Sequence, residues 1–78
     1  MSQPLNKPAP GFVIRMEIEL GQLTDRTISL RDFMTTNEQY YMMSKYDQEL
    51  MEDQYLAMVQ YKQVLAKRLN IAKENSNA

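Results

Sequence analysis

From Lys45 to Lys73 the chain contains no glycine and no proline, and its apolar residues recur at alternating three- and four-residue intervals. Met51, Gln54, Met58, Tyr61, Leu65, Arg68 and Ala72 follow that spacing, and Leu50, Ala57, Val64 and Ile71 run beside them. Spacing of this kind places side chains on one face of a helix. At 1.5 Å per residue the segment is a rod of about 43 Å. Asp47, Glu49, Glu52 and Asp53 stand near its start, and Lys62, Lys67, Arg68 and Lys73 toward its end. That order complements the helix dipole. A rod with one apolar face needs another element to cover it.

The preceding segment supplies a second helix, from about Phe12 to about Met34. Met16, Leu20, Leu23, Thr27, Leu30 and Met34 keep the same face, and Ile28 and Phe33 widen it. Gly21 costs up to ~1 kcal/mol of helix propensity and leaves room for another backbone to approach. Thr24, Thr27, Ile28 and Ser29 also weaken local propensity, so tertiary contacts must hold this helix. Thr35-Thr36-Asn37 connects the two. Thr36 and Gln39 have capping-box spacing, which predicts a short helix from Glu38 to Met43, and Ser44 with Asp47 marks the start of the long one. The expected fold is all-α: an antiparallel helical hairpin with a short connecting helix. Residues 1–11 hold all three prolines and read as a flexible arm, 12–73 as the hairpin domain and 74–78 as a disordered polar tail.

Size then sets a demand. A chain of 78 residues has little core to bury, and such domains add disulfides, metals or further copies. There is no cysteine and no histidine. Disulfides are excluded, and with them the commonest metal ligands and the commonest general base. Assembly into a symmetric helical oligomer is the expectation that remains.

Several function classes fall away. The formal net charge of −1 offers no basic surface for a nucleic-acid backbone, although a local basic pocket is compatible with it. No stretch approaches the ~20 apolar residues of a membrane span, and MSQPLNKPAPG has no apolar signal core. A cytoplasmic, non-catalytic protein without cofactor or metal is expected. No glycine-rich phosphate loop, EF-hand or nucleophile–base pair is present. Asp47, Glu49, Glu52 and Asp53 read as a solvated helix start rather than a cation site.

Two groups stand out. Gln54 and Arg68 are polar residues on the long helix's apolar stripe, and Arg26 sits beside the stripe of the first helix. One reading makes Gln54 and Arg68 register-setting or solvent-reaching residues, with Arg68 paired across the hairpin to Asp25, Asp32 or Glu19. The other makes Arg26, Gln54, Tyr61 and Arg68 a ligand pocket between subunits. Guanidinium forks suit phosphate, and Tyr or Gln suits a base. The second group is Tyr40, Tyr41, Met42, Met43, Tyr46 and Tyr55. These residues either fold over the end of the core or form an adhesive surface for another protein.

The series Arg15-Met16, Glu19, Leu23, Arg26, Leu30, Phe33, then Asp47-Gln48, Leu50-Met51, Gln54, Ala57-Met58, Tyr61, Val64-Leu65 and Arg68-Leu69 resembles a family of short helical proteins. They are encoded by tailed phages, crAss-like phages and prophages. The resemblance spans about residues 14–70. It implies a phage accessory protein acting in the bacterial cytoplasm, and it includes Arg26, Gln54, Tyr61 and Arg68. Small helical phage proteins of this general type include oligomeric sponges for cyclic nucleotide immune signals; the motif of the anti-CBASS sponges is not found here. Expected partners are copies of the chain itself together with a cyclic nucleotide or, alternatively, a host protein. A virion assembly role is a third possibility.

Overall fold

The computed structural model describes residues 10–77, with side chains through Asn75. Three helices follow in order: α1 (Gly11–Thr36), α2 (Glu38–Met42) and α3 (Lys45–Asn77), with no strand among the described residues. Most of the segment expected to be an arm lies outside the described residues. α1 and α3 overrun their expected ends, and α2 stops one residue short of its own. Pro10 has no side chain able to cap α1, yet its carbonyl accepts from Val13 N–H at 3.0 Å and Ile14 N–H at 3.2 Å. The first turn therefore begins at Gly11. At the other end no glycine or proline follows Lys73, and α3 continues to Asn77.

The threonines of α1 satisfy their hydroxyls inside the helix. Thr24 donates to Leu20 O at 2.8 Å, and Thr27, which is buried, to Leu23 O at 2.6 Å. Thr36 donates to Asp32 O at 2.6 Å, so it closes α1 instead of opening α2. The cap of α2 is Asn37, whose Oδ1 accepts from Gln39 N–H at 2.8 Å; its own N–H donates to Phe33 O at 3.1 Å. One extended residue thus serves both helices, and the capping box expected on Thr36 is displaced by one position. Ser44 Oγ accepts from Asp47 N–H at 3.1 Å and starts α3 as its sequence implies.

α1 and α3 pack antiparallel. Val13, Met16 and Leu23 from α1 meet Leu65, Leu69 and Ala72 from α3, and Leu20 and Met58 pack against them. The α1 seam is the expected one with Val13 added at its start, while Ile28, expected to widen it, is exposed. The α3 seam is not the expected one: it runs through Gln48, Met51, Tyr55, Met58, Lys62, Leu65, Leu69 and Ala72, all buried or half-buried. Gln54, Tyr61 and Arg68 are exposed, each one position short of the seam. Energy decides between the two registers. Leu69 in the core contributes ~2 kcal/mol, whereas burying Arg68 would desolvate its charge, a cost that a partner carboxylate offsets only in part.

The hairpin is a thin rod. Its extents are 62 × 17 × 15 Å and its radius of gyration is 17.8 Å. A compact domain of this length would have about 11.5 Å. Phe12, Ile14, Ile18, Leu50, Leu56, Val64 and Ile71 remain exposed.

Beyond the backbone of its own helix, no described residue comes within 4 Å of where a Cβ on Gly21 would stand. The room expected for a neighbouring backbone is therefore unfilled among the described residues. Gly21→Ala is expected to stabilise the helix by ~1 kcal/mol and raise Tm by about 4–8 °C in a thermal melt. A lowered Tm would mean that another chain's backbone covers Gly21.

Candidate functional site

A two-helix seam has two sides, and single contacts identify each. Lys73 Nζ meets Glu17 Oε2 at 2.9 Å on one side. Phe12, Met16, Arg68, Ile71, Ala72 and Asn75 line an open hollow of ≈ 320 Å³ on the other, at the open end of the hairpin. Residues seven apart share a flank of a helix that packs in this way. On α3, Gln54, Tyr61, Arg68 and Asn75 therefore form one line on the hollow's side. On α1, Phe12, Glu19, Arg26 and Phe33 form the facing line. Leu50, Ala57, Val64 and Ile71 run next to the α3 line, farther from α1.

The fold thus puts Gln54, Tyr61 and Arg68 on one strip of α3, with Arg26 on the same side of the hairpin. It does not close them into a pocket. Arg26 and Arg68 make no hydrogen bond or ion pair among the described residues, where the ion pairs are Lys73–Glu17 and Arg31–Asp32. The pairing of Arg68 with Asp25, Asp32 or Glu19 is absent. Gln54 Nε2 lies 4.0 Å from Met58 Sδ, a weak interaction that leaves the amide available. Tyr61 is exposed. Phe12, Ile71 and Asn75 line the hollow but were not singled out from sequence as ligand residues. Extending the seven-residue line from Gln54 through Arg68 reaches Asn75 and would have found it.

The Tyr/Met group divides. Tyr41, Met42 and Tyr46 are exposed by 65%, 83% and 68% respectively. Met43 is half-buried, and half-buried Tyr55 belongs to the seam. Tyr40 is not a surface residue: it is only 7% exposed. Its ring meets Phe33 edge-on at 6.3 Å and Tyr41 at 5.5 Å. Its hydroxyl donates to Glu52 Oε2 at 3.0 Å, and Gln48 Nε2 donates to its carbonyl at 2.7 Å. Tyr40 thus fastens α2 onto the start of α3. Of the two readings of this group, folding over the end of the core holds for Tyr40, but its partners Gln48 and Glu52 were not legible from its neighbours in sequence.

Burial first, then the hydrogen bond to Glu52 and the carboxylate's charge, push the Tyr40 phenol above its usual 10.0. The neutral phenol is thereby favoured in the folded chain. Its contribution is intact below 10.0 and is lost as pH rises through the raised value. Tyr40→Phe is expected to lower Tm by a few degrees at neutral pH, with the gap from wild type closing in strongly alkaline buffer. A gap that widened with pH in paired melts would contradict this account.

Among the described residues no group of His, Cys, Asp or Glu could hold a metal ion. Among the described residues no helix is long and apolar enough to cross a membrane. The family model described as Sequestin matches residues 10–71. Comparison with curated proteins and with solved structures gave no match.

Proposed function

The chain belongs to the Sequestin family, and from that membership we propose that it is a non-catalytic sequestering protein whose ligand is a phosphate-bearing, cyclic nucleotide immune signal. The family's name denotes sequestration, an act of binding rather than of turnover. In this reading the protein is a phage or prophage counter-defence factor. Copies of the chain assemble into a symmetric helical oligomer in the bacterial cytoplasm and withhold the signal from a host effector. Arg26 and Arg68 meet phosphate, Tyr61 stacks on a base, and Gln54 hydrogen-bonds a base edge or ribose.

One observation carries the proposal: Gln54, Tyr61 and Arg68 share a single exposed strip, and the guanidinium on it has no partner among the described residues. Magnitudes favour a pocket shared between subunits. An arginine–phosphate pair at 4 Å is worth ~1 kcal/mol in open water and ~4 kcal/mol at the effective dielectric of a partly enclosed site. Ligand sites generally enclose ~300–1,000 Å³ and bury most of the ligand. The hollow beside Arg68 has the lower volume but lacks an outer wall among the described residues, and in this reading a second subunit supplies one.

Calorimetric titration with cyclic di- and trinucleotides and cyclic ADP-ribose isomers tests the reading. Saturable heat with at least one of them is expected. Silence across the whole panel retires the nucleotide reading.

A second reading rests on Tyr41, Met42 and Tyr46, which cluster in sequence at the closed end of the hairpin and are exposed by 65%, 83% and 68%. In it the chain is an interaction module that docks this end on a host or phage protein. Met42→Ser/Tyr46→Ser leaves Tyr40 and its ring partners Phe33 and Tyr41 in place, so loss of a captured partner in a host pull-down would report the surface and not the fold. Capture that is unchanged by the double variant counts against it.

A further inference from the structure

The exposed side of α3 carries an apolar line with a charge pattern beside it. Leu50, Val64 and Ile71 are 48%, 50% and 58% exposed and stand seven apart with Ala57, next to the Gln54–Tyr61–Arg68 line. Together the two lines repeat the alternating three- and four-residue spacing of a helix-packing seam, and none of the described residues covers it. Bordering this second seam away from α1 are Tyr46, Asp53, Gln60, Lys67 and Glu74, again seven apart. Asp53 and Lys67 are exposed and make no ion pair among the described residues.

We propose that a second copy of the chain docks antiparallel on this seam, with Asp53 of each copy against Lys67 of the other. Reversing the border line about Gln60 exchanges Asp53 with Lys67 and Tyr46 with Glu74. A twofold axis at Gln60 therefore sets opposite charges face to face twice, as a self-complementary interface requires. Laying the copies parallel would oppose Asp53 to Asp53 and Lys67 to Lys67. The other outward flank of α3 is a worse seat, because Glu49, Gln63 and Asn70 interrupt Leu56 there.

The docking has a consequence for the ligand. With the axis near Gln60 and Tyr61, Arg68 of one copy comes level with Gln54 of the other. Each of two equivalent hollows then draws its guanidinium from one chain and its amide from the partner, and Arg26 overlooks them from α1. This consequence rests on the nucleotide reading, while the docking stands on the seam and the charges.

Charge exchange tests it. Sedimentation equilibrium of the full chain is expected to give the mass of a dimer or a higher even oligomer. Asp53→Lys and Lys67→Asp should each weaken self-association about tenfold or more, and the double variant should restore it. Because a single copy poorly covered by others could lose its helices, a second probe uses otherwise wild-type protein. Gln60→Cys should cross-link to itself with a short bismaleimide, and Gln63→Cys should not. A single-chain mass for wild type, a double variant no better than the single ones, or equal cross-linking at both cysteines would overturn the docking. Calorimetry with the nucleotide panel separates the two claims. An even oligomer that binds no nucleotide refutes the ligand alone, and a single chain that binds one refutes the docking alone.

Discussion

Leu65→Ala is expected to leave most of the protein unfolded at room temperature at micromolar concentration. Leu65 is 1% exposed, the most enclosed side chain of the core, and it meets residues of both helices. Removing such a leucine costs ~2–5 kcal/mol in transfer and cavity terms together. A thin hairpin has little to set against that, since small domains command only ~3–5 kcal/mol from their cores. Loss of the helical circular-dichroism signal, with partial recovery as concentration rises, is the expected signature. The recovery follows from the proposed assembly, which would stabilise the folded chain by mass action. A variant as helical as wild type at every concentration would mean that the stability resides elsewhere than in the α1–α3 seam.

The second large effect concerns Arg68. Arg68→Ala is expected to leave helicity and Tm nearly unchanged, because Arg68 is exposed and makes no ion pair among the described residues. On the proposed nucleotide reading, affinity for the ligand should fall. A charge-assisted hydrogen bond contributes ~1.5–3 kcal/mol, which corresponds to a loss of about 10–150-fold in Kd. Arg68→Lys should recover only part of this, since an ammonium keeps the charge but not the two-pronged geometry. Equal binding by wild type and Arg68→Ala in calorimetric titrations would remove Arg68 from the site. A large drop in Tm would instead assign it to the fold.

The α1 seam was legible in the sequence because its apolar residues, from Met16 to Met34, admit a single alternating register. The α3 register was not. Tyr55, Lys62 and Leu69 compete there with Gln54, Tyr61 and Arg68, one residue earlier. Both sets complete a seam with Met51, Met58, Leu65 and Ala72, and the sequence reading took the earlier one. Only the packing of α1 distinguishes them, by enclosing Leu69 and leaving Arg68 in water. The same ambiguity is what gives α3 two usable faces, one spent on α1 and one left open. At the connection, Thr36 and Asn37 are adjacent cap formers, and the choice fell to the one whose backbone could leave the helix while its side chain reached Gln39 N–H. Tyr40 was legible as an aromatic near a chain reversal, but not as the plug it is, because its partners Gln48 and Glu52 lie on another helix.

Native mass spectrometry of the wild-type chain mixed with the cyclic nucleotide panel tests the central claim most directly, since one spectrum reads subunit number and bound ligand together. The account predicts nucleotide adducts on an even-numbered oligomer and none on the single chain. Oligomers that carry no nucleotide from any member of the panel, or nucleotide held by the single chain, would contradict it.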